Sequence, residues 1–465
     1  MWRKLIFKLE KIFFYFFLFC LPLQTRIFLK EWGTEFNEWN SAFLYLTDLI
    51  LAAIFFFWAV RRNFWFFEFK KWGKPKIIGI LIIVFFLISG VSLIKAGNLA
   101  LGAYQQLKLF EFFILFFYIK NNFGKFINFD FALKILFFSA IFQAILGIGQ
   151  FTVQEDFGLK ILGESPLGPN IDGAAKISAS GVKMIRAYGT FPHPNILAVF
   201  LIFSLFCFYL AYLIEKESSF KKNIFLMSSF FIVVFGLFLT FSRVAIISFA
   251  FCSLMAFLIL FFKKGFYLVF RKKVLILSAF FLLSVVVCLL FMQKEVYSRF
   301  VSNVVDPGIN LRFFYNFISI SMIKESPFLG IGEGNFVWSL KDHQGTLRAA
   351  NLIYKIDDQD ATVVAYKVQP WLYQPVHNIY LFIASENGIF ALVVFLLILA
   401  IILFPAICII KNNDPVFVLY LLFLIFCVIS LTDHFFWTLQ QGRLMFWVLA
   451  GILASFLQNK KVLSS

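Results

Sequence analysis

Charge is scarce in this sequence. Only 14% of its 465 residues are Asp, Glu, Lys or Arg, against about 25% in soluble domains. Together with 61% hydrophobic residues, this excludes a soluble globular fold and implies an integral membrane protein. Cysteine and histidine are scarce as well. The six cysteines (Cys20, Cys207, Cys252, Cys288, Cys408, Cys427) all fall inside apolar segments, which leaves the polar loops without a disulfide or a metal-ligand spacing. Four histidines without tight spacing give no zinc motif. The glycine-rich GIGEGN lacks the Lys-Ser/Thr of a nucleotide-binding turn, and no nucleophile-elbow sequence is present. The N-terminal MWRKLIFKLEKIFFYFFLFCLPLQ has no small-x-small cleavage site and reads as an uncleaved first span. There is no internal repeat, and the 71 phenylalanines read as interchangeable lipid-facing bulk.

The sequence is rich in apolar runs, and about 20 such residues cross a bilayer. Twelve candidate spans lie near 8–24, 41–60, 76–94, 99–119, 127–151, 194–214, 224–242, 243–262, 274–292, 378–404, 416–433 and 443–457. Lys and Arg concentrate on the face that holds both termini, which places that face in the cytoplasm. The formal net charge of +17 then reflects topology and gives no case for a nucleic-acid partner. Residues 1–292 read as transmembrane helices 1–9, 293–377 as an extracytoplasmic loop with surface helices, and 378–465 as helices 10–12 with a cytoplasmic tail. Loop 152–192, which holds GESPLGPNIDG, is expected to be irregular. In the large loop, NLRFFYNFISISMIKES (310–326) predicts an amphipathic surface helix that stops at Pro327. GIGEGN (330–335) predicts a turn, and the stretch around DDQD (351–368) a hairpin.

Three arginines sit at span edges on the outer face: Arg186, Arg243 and Arg312. A guanidinium near hydrocarbon is costly unless paired, so each is a candidate functional group, and its fork matches phosphate oxygens. The bland alternative is snorkelling to headgroups or pairing with Asp48, Glu386 or Asp433. His377 is the candidate general base, since an ordinary imidazole accepts a proton near neutral pH. Asn378 and Glu386 are candidates to orient it or the substrate. His193 reads as structural, with Pro194-Asn195 opening a helix. His434 reads as an interfacial partner of Asp433, and His343 as solvated.

His377 and Asn378, nine further residues and Gly388 resemble the signature of the O-antigen ligase family, with Leu392 where that motif usually has Gly, Thr or Tyr. RAYGTFPHPNILA, LTFSR, the run from Arg312 through ESPFLGIGEGNF, and DHFFWTLQQGRLMFW (433–447) are also similar to the family, over roughly 180–450. The resemblance implies an all-α integral membrane protein of about 12 transmembrane helices, GT-C-like, with a large extracytoplasmic loop between spans 9 and 10. It implies inverting glycosyl transfer at the outer face of the cytoplasmic membrane, without metal or cofactor. The implied partners are an undecaprenyl-diphosphate-linked glycan donor, membrane lipid, and a glycan, lipopolysaccharide-core or protein acceptor. Arg186, Arg243 and Arg312 would hold the diphosphate and His377 would serve the acceptor hydroxyl, with Asn195, Asn378, Glu386 and Gly388 in support. Surface-polysaccharide polymerases and protein O-oligosaccharyltransferases share the pattern. A lipid-linked glycan flippase or other transporter is the alternative of another class, and it predicts repeats and broken helices.

Overall fold

The computed structural model describes residues 2–34, 36–62, 76–179, 182–215, 219–300, 307–341, 373–412 and 414–458. Its longer helices are α1 (Trp2–Cys20), α2 (Leu46–Arg61), α3 (Lys76–Ser92), α4 (Leu99–Asn122), α5 (Phe129–Val153), α6 (Pro194–Ile214), α7 (Phe220–Leu239), α8 (Arg243–Phe262), α9 (Lys264–Phe291), α10 (Gln293–Phe300), α11 (Pro307–Glu325), α12 (Ile379–Leu403), α13 (Phe417–Ile429) and α14 (Gln440–Gln458). Among the described residues, eight helices are long and apolar enough to cross a membrane. Helices α1, α2, α13 and α14 fall on the other four expected segments and are shorter or carry more polar residues.

α6 is apolar on every face, and a helix of that kind must be enclosed by others. It is buried along its whole length, with α5, α7, α8 and α13 packed around it. α4 packs on α14, and α3 on α12. This arrangement fixes the start of α6, and hence His193 and Asn195, at the centre of one end of the bundle.

Two hairpins modify the all-helical expectation. β1 (Arg26–Glu31) pairs antiparallel with β2 (Ser41–Tyr45) from Arg26↔Tyr45 to Glu31↔Ser41, with an irregularity between Phe28 and Lys30. The span expected at 41–60 therefore begins as a strand and turns helical only at Leu46. Loop 152–192, expected to be irregular, contains β3 (Lys176–Ala179) paired with β4 (Val182–Ile185). The hairpin expected at 351–368 and His343 lie outside the described residues.

α11 forms where its apolar spacing predicts and ends just before Pro327. It packs on α12, burying Phe314, Tyr315, Ile318 and Met322, while Phe313, Phe317 and Ile320 stay exposed. Both faces are thus apolar, unlike the amphipathic surface helix expected. GIGEGN is the expected turn, with Gly330, Gly332 and Gly334 all at positive φ.

α12 is broken at Gly388 (φ 84°, ψ 171°). The amides of Ile331 and Gly332 donate to the Ser385 and Glu386 carbonyls (2.9 and 3.0 Å), and Ile389 N donates to the Pro327 carbonyl (2.9 Å). The loop after α11 therefore takes over hydrogen bonds that an unbroken helix would make with itself. It passes so close that a Cβ on Gly388 would lie 2.1 Å from the Phe328 carbonyl oxygen.

Candidate functional site

His193 precedes Pro194 and caps α6, its Nδ1 accepting from Asn195 N at 3.2 Å. Proline at the first helical position costs nothing, because its missing N–H would be an orphan there. Arg186 enters from the strand β4 side. Ala187 N donates to the Leu239 carbonyl (3.0 Å), and Arg186 Nε to the Thr240 carbonyl (2.5 Å). These bonds fasten the segment to the α7–α8 turn, where Phe241 adopts φ 47° and Ser242 precedes Arg243 at the start of α8. Two arginines 57 positions apart in the sequence are thereby brought to one place.

Arg186, Arg243 and Arg312 line a single cavity of about 280 Å³, together with Lys176, His193, Asn195 and Asp433. Arg186 is buried at 4% exposure, and the other two arginines are half-buried. A relay runs through the wall: Arg186 Nη2 donates to Asn195 Oδ1 (2.9 Å), and Asn195 Nδ2 donates to Asp433 Oδ2 (3.2 Å). Among the described residues, four basic side chains against one carboxylate give the cavity a strongly positive field. Of the three acids named as bland partners, only Asp433 lies here. Asp48 pairs with Lys108 and accepts from Gln440 Nε2 (2.6 Å). Glu386 accepts from Gly334 N (2.9 Å) and Phe336 N (2.8 Å).

His377 stands beside this cavity without lining it. Its ring lies 4.9 Å from that of His434 and 6.1 Å from that of Tyr315, one turn beyond Arg312 on α11. His377 Nδ1 is buried and makes no hydrogen bond among the described residues. Burial lowers its pKa and Arg312 adds to that, against the opposing influence of Asp433 and the Pro375 carbonyl. His193 is pushed down to about 3 by burial and then by Arg186, and His434 to about 3 by burial and then by His377. Burial alone would raise Asp433, but His434, His377, His193 and Arg312 outweigh it and hold the carboxyl below its ordinary value. The rings are therefore neutral around one persistent anion, and His377 is available to take a proton.

The supporting residues separate into different tasks. Asn195 belongs to the cavity wall. Asn378 caps α12, its Oδ1 accepting from Tyr380 N (3.0 Å) and Leu381 N (3.1 Å), and so fixes the helix start behind His377. Glu386 does not reach His377; its carboxylate clamps the glycine loop to the broken helix, and Gly388 permits the crossing. Thus the spacing of His377, Asn378 and Gly388 marks a helix cap followed by a helix break. Sequence reasoning passed over the convergence of His434 and His193 with His377. The available signal was rarity, since three of only four histidines meet here.

Among the described residues, no group of three or more His, Cys, Asp or Glu is arranged to hold a metal ion. No curated protein matches the chain. Residues 228–396, which carry Arg243, Arg312, the glycine loop, His377 and Gly388, match the family model described as O-antigen ligase.

Proposed function

We propose that the protein transfers a glycan from undecaprenyl diphosphate to an acceptor hydroxyl at the outer face of the cytoplasmic membrane. The observation that carries this reading is the convergence of Arg186, Arg243 and Arg312 on one cavity beside a neutral His377. Guanidinium groups suit a diphosphate because they stay charged and bond its oxygens in pairs. As the acceptor oxygen bonds to the anomeric carbon, the bond from that carbon to the diphosphate breaks on the opposite face. The configuration inverts. The acceptor proton passes to His377 Nδ1, and the negative charge gathering on the leaving diphosphate is stabilised by the arginines. Removing one such preorganised contact costs about 2.7–4 kcal/mol in the barrier. Ligation to a lipopolysaccharide core, polymerisation and transfer to protein all fit this chemistry.

A broken helix is also a transporter feature. Here two of the carbonyls at the break in α12, those of Ser385 and Glu386, are taken by Ile331 and Gly332 of the protein's own loop, which favours the enzyme. The test is incubation of the purified protein with a labelled undecaprenyl-diphosphate glycan and a panel of acceptors, followed by mass analysis. Glycan on an acceptor hydroxyl, with inverted anomeric configuration and released lipid diphosphate, is expected. Translocation of intact donor across vesicles with no glycan transfer would overturn the reading.

A further inference from the structure

At the end of α6 opposite the arginine cavity, α5 and α7 part and leave an apolar gap of about 180 Å³. α6 has 21 residues, which sets its two ends about 30 Å apart. The floor of the gap is Phe208, Ala211 and Tyr212 of α6, and Phe137 of α5 stacks on Phe208 at 4.4 Å. Phe138 and Phe225, 52% and 53% exposed, stand at its rim with ring centroids 6.4 Å apart. Water needs polar partners, and an apolar cavity of about 150 Å³ stays dry and takes a benzene-sized ligand. Left empty, the rings around the gap forfeit dispersion contacts. Inside a bilayer the group at hand to fill it is an acyl chain.

The charged groups of the gap sit at one level. Lys134 lies in the second turn of α5, Lys222 in the first turn of α7, and Glu215 directly after the last residue of α6. Toward the middle of the spans the described lining is apolar. A charged collar over an apolar slot matches a phospholipid, head group outward and chain inward. The collar's charges come in pairs: Lys134 Nζ meets Asp130 Oδ2 at 2.5 Å, and Lys222 Nζ meets Glu215 Oε1. Both lysines are partly exposed (37% and 43%), and such pairs hold together weakly and can exchange partners. Lys273 Nζ is occupied by the end of α6, donating to the Tyr212 carbonyl at 2.7 Å.

Among the described residues, the two lysines and two carboxylates of the collar therefore cancel, and an anionic head group would leave a net charge there. A head group with one phosphate and one amine would not. Its phosphate fits between the lysines at the N-terminal end of α7, whose dipole favours an anion, and its amine N–H groups can donate to Glu215. Methylating that amine keeps its charge but removes the donors.

We infer that the gap between α5, α6 and α7 binds one phospholipid of the phosphatidylethanolamine class, with an acyl chain in the gap and the head group across Lys134, Lys222 and Glu215. This site is independent of the donor reading, because none of its residues touches the arginine cavity.

The test is native mass spectrometry of the full-length protein in detergent, titrated with dioleoyl phosphatidylethanolamine, phosphatidylcholine and phosphatidylglycerol, which share their chains. The first ethanolamine lipid is expected to bind about tenfold more tightly than either of the others. Glu215→Gln should erase the preference over phosphatidylcholine, and Lys134→Gln combined with Lys222→Gln should weaken the ethanolamine lipid about tenfold. Ala211→Phe, which fills the gap from its floor, should remove the tight site for all three lipids. The comparison of lipids on the parent protein needs no variant, so it stands even if a substituted protein fails to fold. Equal affinity for the three lipids, a preference for phosphatidylglycerol, parental binding in folded Ala211→Phe, or displacement of the bound lipid by equimolar undecaprenyl phosphate would overturn the inference.

Discussion

Gly388→Ala is the substitution whose cost follows most directly from the structure. At φ 84° and ψ 171°, Gly388 occupies a backbone region essentially reserved for glycine, which costs any other residue about 1–3 kcal/mol. The added methyl would lie 2.1 Å from the Phe328 carbonyl oxygen and 2.4 Å from its carbonyl carbon. Those are backbone atoms, so no side chain can swing aside, and overpacking of this kind adds about 1–3 kcal/mol. The combined loss is about 2–6 kcal/mol. Relief requires the 327–332 loop to lift off α12, which would pull α11, and with it Arg312 and Tyr315, away from His377. Gly158→Ala is the control: its φ is 73°, but a Cβ there meets nothing within 4 Å among the described residues, so it carries backbone strain alone. Thermal unfolding in detergent and glycan transfer should be measured for both. Gly388→Ala should melt well below Gly158→Ala and lose transfer. Equal melting points with full transfer in both would refute the broken-helix argument.

Other predictions concern the site itself. The His377 pKa is lowered, so the ring stays neutral below the ordinary histidine range; transfer should be flat from neutral pH down through about 6.5 and fall only as the ring protonates in more acid solution. Asp433→Asn removes the anion that favours protonation and should move that acid limb to lower pH, while Arg312→Ala should move it to higher pH, both read from pH–rate profiles. Because His193 and His434 also titrate low in the folded state, the unfolded chain binds more protons between about pH 6.5 and 3; the stability held above that window should decline through it as the pH falls, measurable by unfolding at a series of pH values. Glu386→Ala strands the Gly334 and Phe336 amides and should cost about 1–3 kcal/mol for each buried donor left unmade without shifting the pH–rate profile, which a direct acid–base role would shift.

The helices were legible because long apolar runs have few other fates. The β1–β2 hairpin was not, since SAFLY runs without a break into the apolar LTDLILAAIFFF of α2, and hydrophobicity alone does not separate a short strand from a helix start. The break in α12 was hidden for a different reason. Gly388 is one glycine in a 25-residue apolar helix, and what makes it indispensable is a carbonyl 60 positions earlier. The three arginines were legible as span-edge cations suited to phosphate, but the geometry that joins them was not, because it depends on the Thr240 and Leu239 carbonyls catching the 186–187 segment. Glu386 misled for the same reason. From sequence it sits on the His377 helix, yet the groups it serves are amides of the glycine loop.

The most direct test of the account is equilibrium binding of a fluorescent undecaprenyl-diphosphate glycan, measured alongside single-turnover transfer, in the parent protein, Arg243→Ala and His377→Ala. The account predicts donor binding weakened at least about tenfold in Arg243→Ala, and parental binding with transfer abolished in His377→Ala. Unchanged donor affinity in the first variant, or undiminished transfer by the second, would contradict it.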